Sequence, residues 1–265
     1  QKELPTWRGH HEQNMALTGI AYSRAKRRKQ IFIATSSVGP GSTNMVTAAA
    51  VAMSNRIPIL FLPGDTFSNR FPDPVLQQVE HFNNPGITAN DAFKPVTRYF
   101  DRITRPEQII SSLQQAVQVM LDPADCGPAC ISLSQDVQGE VYDYPEEFFK
   151  ERIHTIRRSK PDDFQIKEAA ELIKKSKKPI IISGGGVFYS DATDQLSAFA
   201  IKHNIPVTQT VMGYSTMKKD HSHYLGVIGG LGGKAANNLS KETDTAIAIG
   251  TKLADFTTGS WANFE

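Results

Sequence analysis

Ile31-Phe32-Ile33-Ala34-Thr35-Ser36-Ser37-Val38-Gly39-Pro40-Gly41-Ser42-Thr43-Asn44 is the stretch on which the fold turns. Ile31–Ala34 is an apolar, β-branched and aromatic run of strand length, and it predicts a buried strand. Gly39-Pro40-Gly41 punctuates it as a turn. Ser42 or Thr43 then stands where a helix cap is wanted, ahead of Ala48, Ala49, Ala50 and Ala52, small residues suited to close packing. Ile57–Leu62 is again strand-like. Strand, turn, helix and strand in this order make a βαβ unit, and hence a parallel sheet.

The same rhythm extends in both directions. Met15, Leu17, Ile20 and Ala21 have helical spacing after Glu12 and run to a basic turn at Arg24–Lys29. Residues Pro63 to Pro95 form a long irregular stretch broken by Gly64, Pro72, Pro74, Pro85 and Gly86, a length usually kept for function. Glu107–Leu121 predicts a helix opened by Pro106, and Ala129–Leu133 a strand. From Gln138 to Asp163 the texture turns charged and aromatic, as in a linker. A second α/β unit follows, with helix Gln165–Lys174, strand Pro179–Ser183, helix Ala192–His203, strand Pro206–Thr210, a glycine-rich loop from Gly226 to Gly233 and strand Thr245–Ile249. The fold class expected is therefore α/β, two parallel-sheet units of three layers each.

The 265 residues correspond to roughly 1.8 nominal domains. With 40% hydrophobic and 21% charged residues, the chain is neither disordered nor of low complexity. A net charge of +2 gives no bulk attraction for nucleic acid. No apolar run approaches a membrane span, the longest being Ile57 to Pro63. The start, Gln1-Lys2-Glu3-Leu4-Pro5, has no Met and no leader-like pattern, and the end at Glu265 has no helix stop, so a piece of a longer chain is expected.

Most of the motif-like features have plain readings. Gly184-Gly185-Gly186 follows a strand, but Tyr189 occupies the third glycine position of a dinucleotide fingerprint. A tight strand-to-helix turn is expected, with an anion on the helix N-terminus as the alternative. Gly229-Gly230-Leu231-Gly232-Gly233-Lys234 fails as a phosphate loop, because Ile228 and Ala235 stand at required positions. The basic runs Arg24–Lys29 and Arg152–Lys160 read as solvated faces. Cys126 and Cys130 read as reduced structural thiols, and His10 and His11 as loop residues.

Glu12 stands out by its company. His11-Glu12-Gln13 and the turn Gly39–Asn44 would both lie at strand ends, where open α/β sheets bind ligands. A carboxylate partly desolvated there would have a raised pKa and could exchange a proton with a bound heterocycle. These two segments resemble the glutamate segment and the GPGxxN turn of the thiamine-diphosphate enzymes, with Asn14 where Gly is common. Lys178-Pro179 through Gly186, then Ile205-Pro206-Val207 to Met212-Gly213, are similar to the central domain of acetohydroxyacid synthase-like members. Thr35–Gly41, Pro72-Asp73-Pro74-Val75-Leu76-Gln77-Gln78, Arg102–Gln108 and Ser134–Glu140 resemble the members that hydrolyse a cyclic 1,2-dione in inositol catabolism.

The resemblance implies a pyrimidine-binding domain over 1–140, a linker over 141–163 and a Rossmann-like, flavoprotein-like central domain over 164–265, both domains truncated. Glu12 would hydrogen-bond N1′ of the cofactor pyrimidine and so promote loss of the thiazolium C2 proton. Gly39, Pro40 and Gly41 would bring backbone close to the ring, and Asn44 would brace the turn. Gln77 or Gln78 would face the substrate. Thiamine diphosphate and Mg2+ are the implied cofactors. Gly64-Asp65-Thr66 and Asn83-Asn84 do not form the family's metal motif, so no metal ligand is expected within this chain; the diphosphate-binding domain would lie beyond Glu265. The implied partners are a cyclic polyol dione and a second subunit, in a cytoplasmic homodimer or larger assembly, without nucleic acid or membrane. A carboligase, with or without FAD, and a non-catalytic assembly module stand as alternatives on the same scaffold.

Overall fold

A computed structural model describes residues 4–69, 71 and 75–264, so the Pro72-Asp73-Pro74 part of the dione-type motif lies outside the described residues. The chain divides into two compact units, residues 1–158 and 159–265. The first runs α1 (Glu12–Ala25), β1 (Phe32–Ser36), α2 (Pro40–Thr43), α3 (Val46–Asn55), β2 (Ile59–Asp65), β3 (Tyr99–Ile103), α4 (Gln108–Leu121) and β4 (Ala129–Ser134). Its sheet is wholly parallel in the order β1-β2-β4-β3, with Ala34 opposite Phe61 and Phe61 opposite Cys130.

The central strands β2 and β4 are buried on both faces and read as near-continuous apolar runs, as parallel sheets require. One face carries Leu60, Ile103, Ala129 and Ile131 against Ala116 and Met120 of α4. On α3, Ala48, Ala49 and Ala52 are completely buried, and α1 packs beside them. Side chains this small let helices approach closely, and enlarging one would cost about 1–3 kcal/mol in overpacking. Phe61 and Phe93 meet at 5.5 Å between ring centroids, both fully buried.

Three expectations are corrected here. Ile31–Ala34 is not a buried strand: β1 is an edge strand, and Ile33 is 49% exposed while Ala34 is covered. Neither Ser42 nor Thr43 caps α3. Pro40 opens α2 after Gly39, and the Ser42 hydroxyl is turned inward to Asn90 instead. Within the stretch Pro63 to Pro95, β2 continues through Pro63 and Gly64 to Asp65, and the 3₁₀ segment Ala89–Val96 is opened by a reciprocal cap between Thr88 and Asp91.

The second unit contains α5 (Asp163–Lys175), β5 (Pro179–Ser183), α6 (Gly185–Tyr189), α7 (Thr193–His203), β6 (Val207–Gln209), β7 (Tyr224–Val227), α8 (Lys234–Lys241), β8 (Thr245–Ile249) and α9 (Asp255–Thr258). Its sheet is parallel in the order β7-β6-β5-β8, the half-order of a doubly wound fold with the reversal between β5 and β8. Ile180, Ile181 and Ile182 are fully buried at its centre. The Gly184-Gly185-Gly186 turn is a packing device. A Cβ on Gly184 would stand 2.3 Å from Thr251 Cβ, and one on Gly186 would stand 2.6 Å from Gly250 Cα. The loop at Gly229 is likewise backbone-close, with Asn237 bonding both its N–H and its carbonyl. Among the described residues no helix is long and apolar enough to cross a membrane.

Candidate functional site

The first unit brings Glu12 and the Gly39–Asn44 turn together. Glu12 is the first residue of α1, where the helix dipole favours a carboxylate. Asn44 Nδ2 donates to Glu12 Oε2 at 2.9 Å, across 32 residues of sequence. Its second oxygen, Oε1, lies 3.4 Å from where a Cβ on Gly41 would stand, and Ser37 Oγ lies 2.6 Å from the same point. The missing side chain of Gly41 thus leaves a cradle between a hydroxyl and a carboxylate with one oxygen uncommitted to Asn44. The raised pKa expected for Glu12 is overturned. The hydrogen bond from Asn44 is the largest influence and lowers it, because little burial opposes it in this chain.

Gly39 is held at φ 71° and ψ −119°, a backbone region open essentially to glycine. A Cβ there would also fall 1.7 Å from the carbonyl oxygen of Gln77. The loop bearing the two glutamines is therefore laid directly on the turn. The two glutamines of that loop are placed differently. Gln77 is exposed, with a positive φ, and contributes its backbone, whereas Gln78 is buried to 3% exposure. Gln78 Nε2 finds no hydrogen-bond partner among the described residues. A buried amide left unsatisfied costs about 1–3 kcal/mol, which a ligand acceptor would recover. The loop's near end is tied by Asp136, which accepts from Ser68 N at 2.8 Å and Asn69 N at 3.0 Å.

Asp65 of the Gly64-Asp65-Thr66 stretch is already engaged. It is 1% exposed and accepts from Arg102 Nε at 2.8 Å and from Ser132 Oγ. Arg102 also donates to Asp91 at 2.6 Å and to Thr88 at 2.8 Å. Burial works against the guanidinium charge, but Asp65 and Asp91 outweigh it and raise the Arg102 pKa. Asn83 and Asn84 are exposed. Among the described residues no group of three His, Cys, Asp or Glu side chains could hold a metal ion. Lys94 pairs with Asp91 and Arg98 with Asp125. Cys126 and Cys130 are free and buried, and burial pushes the Cys126 thiol up to about 11.

Sequence reasoning missed Asn90. It is 1% exposed and donates to Gly64 O at 2.9 Å and Ser132 Oγ at 2.7 Å, while Ser42 donates to its Oδ1. The Thr88-x-x-Asp91 spacing marks the cap beside it. The carboxylate at the end of an apolar strand, Asp65, announces a buried partner.

Residues 1–84 match the thiamine pyrophosphate enzyme N-terminal TPP binding domain, and residues 166–265 match the thiamine pyrophosphate enzyme central domain. The chain is 53% identical over 262 residues to a 3D-(3,5/4)-trihydroxycyclohexane-1,2-dione hydrolase of Clostridium tetani, covering 99% of this chain and 41% of that protein. It is 51% identical to the hydrolase of the same name from Clostridium perfringens, with 99% and 41% covered. For that of Geobacillus thermodenitrificans the figures are 50% identity, with 97% and 40% covered. The chain thus spans about two fifths of the length of these relatives. With successive domains of one family matched along it and about half its residues shared with these relatives, the chain belongs to the thiamine pyrophosphate enzymes, whose N-terminal and central domains it carries.

Proposed function

We propose that the protein containing this chain is a thiamine-diphosphate-dependent hydrolase that opens trihydroxycyclohexane-1,2-dione to 5-deoxy-glucuronate. The bond broken is a ring C–C bond next to a carbonyl; water's hydroxyl goes to the acyl carbon and a proton to the other carbon. The observation that carries the reading is the Glu12 carboxylate, held by Asn44 at one oxygen and facing the Gly41 cradle with the other. When bound, thiamine diphosphate supplies a nucleophilic carbon and an electron sink for the cleavage. Glu12 Oε1 holds and moves a proton at the pyrimidine ring nitrogen, and Asn44 keeps that oxygen aimed. Gly39, Pro40 and Gly41 keep the backbone close enough for the ring to lie beside the carboxylate. The Gln78 amide orients an oxygen of the substrate.

We assign residues 1–140 to the pyrimidine-binding domain, 141–163 to a linker and 164–265 to the central domain. The donor set here suits the pyrimidine but not Mg2+, since Asp65 is taken by Arg102. We place the metal and diphosphate ligands in a further domain contributed by a second subunit, in a cytoplasmic homodimer or larger assembly of inositol catabolism. The loop around Gln78 supplies an apolar surface for that subunit through exposed Phe71, Leu76 and Phe82.

The test is Glu12→Gln in the complete protein, with circular dichroism and turnover of the cyclic dione measured together. Turnover falls at least about a hundredfold, the scale of a lost acid–base group, while the fold is kept. Near-wild-type turnover by a folded variant would overturn the reading.

A further inference from the structure

Between the turn and the sheet runs a polar relay in which every proton has one place to go. Ser42, Asn90, Ser132 and Asp65 are each no more than 1% exposed. Asp65, paired with Arg102 Nε at 2.8 Å, only accepts, so the Ser132 hydroxyl spends its proton on it. Ser132 can then only accept from Asn90, which turns the Asn90 Nδ2 group toward Ser132 at 2.7 Å. The second Nδ2 proton goes to Gly64 O at 2.9 Å. Asn90 Oδ1 is left facing Ser42, which must donate. Reversing the amide would set an oxygen against the Gly64 carbonyl and leave Ser132 without its donor. The Arg102 guanidinium is itself fixed by Asp91 and Thr88, which flank Asn90 in sequence.

We propose that Asn90 is a positioning residue for the cofactor site: oriented by Asp65 through Ser132, it locks Ser42 and hence the Gly39–Asn44 turn that aims Glu12. This rests on the reading of Glu12 given above. Ser42 sits in α2 one residue from Gly41 and two from Asn44, so rotation of that short helix moves the cradle and the Glu12 anchor together.

The experiment uses the complete protein and measures thiamine diphosphate affinity by titration calorimetry at saturating Mg2+, with the melting temperature of the cofactor-free protein beside it. Ser42→Ala removes only the last link; the melting temperature of the cofactor-free protein falls modestly, because Asn90 Oδ1 loses its donor, and the dissociation constant rises about tenfold, because the loosened turn must be re-ordered on binding. Asn90→Asp places a carboxylate where Ser132 has one proton for two acceptors, and weakens binding at least as much. In the Ser42→Ala background, Asn90→Ala adds no further loss of affinity, because both act through one link. Wild-type affinity in folded Ser42→Ala, or independent losses in the double variant, would overturn the proposal. If Asn90→Asp does not fold, Ser42→Ala decides. Glu12→Gln is run in parallel. If it abolishes turnover while Ser42→Ala binds as wild type, the positioning role alone has failed. If Glu12→Gln also turns over normally, the cofactor reading has failed with it.

Discussion

Glu12 is aimed by a side chain 32 residues away, and its protonation follows from that contact. Asn44 donates to the ionised form and pulls the pKa below the ordinary 4.5. A depressed folded-state pKa means that the contact stabilises the protein above the ordinary value and is lost as pH falls through the lowered one. Asn44→Ala therefore moves the Glu12 titration upward toward 4.5, a shift that carbon-detected NMR of the carboxyl group would read directly. An unchanged titration would show that Asn44 does not hold the carboxylate. Gly39 makes the neighbouring prediction. Alanine there must adopt a φ near 71° and meet the Gln77 carbonyl, so Gly39→Ala loses about 1–3 kcal/mol in urea denaturation, or pushes the glutamine loop off the turn.

At the level of elements, the glutamine loop is moored where it leaves β2. Asp136 takes two backbone N–H groups of Ser68 and Asn69, and Ser68 Oγ reaches Thr104 O. Burial opposes the Asp136 charge, yet these amides override it and lower its pKa. The mooring is intact above the ordinary carboxylate range and fails as pH drops through the lowered value. Asp136→Ala should speed proteolytic cleavage within residues 68–88 at neutral pH and leave α4 and β4 resistant; equal cleavage rates would remove Asp136 from this role. The elements legible in sequence were those with a local signature, among them the apolar runs of β2, β4, β5 and β8 and the helices that follow Glu12 and Pro106. Strand β3 was not, because Tyr99-Phe100-Asp101-Arg102-Ile103 carries charges whose partners exist only once the sheet is formed. Strand β7 was hidden by Gly226 and α8 by the glycines before it. Within the site, Glu12 and Gly39–Asn44 could be read as motifs. The different exposure of Gln77 and Gln78 depends on which side of a loop is covered, and Asn90 depends on a neighbour 48 residues away.

On the scale of the whole molecule, the two units divide the chemistry unevenly. The second has its buried mass in Ile180, Ile181 and Ile182, and its glycine turns are filled by their own neighbours. The first holds the carboxylate, the cradle and the Gln78 amide, whose Nε2 has no hydrogen-bond partner among the described residues. Its most buried carboxylate, Asp65, is the one a metal would seek, and Arg102 already neutralises it. Mg2+ would have to displace the guanidinium from Asp65, and among the described residues no group of three His, Cys, Asp or Glu side chains stands ready to hold it. Calorimetric titration of residues 1–265 with Mg2+ and thiamine diphosphate should accordingly give no saturable, metal-dependent binding up to roughly 1 mM. Arg102→Met, which frees Asp65 and Asp91 together, should lower the melting temperature sharply and still create no Mg2+ site, since among the described residues no group of three His, Cys, Asp or Glu side chains could hold the ion. Saturable Mg2+-dependent binding by the unaltered chain would mean that Asp65 changes partners on binding, and that the ion pair is a resting state of a metal site rather than a replacement for one.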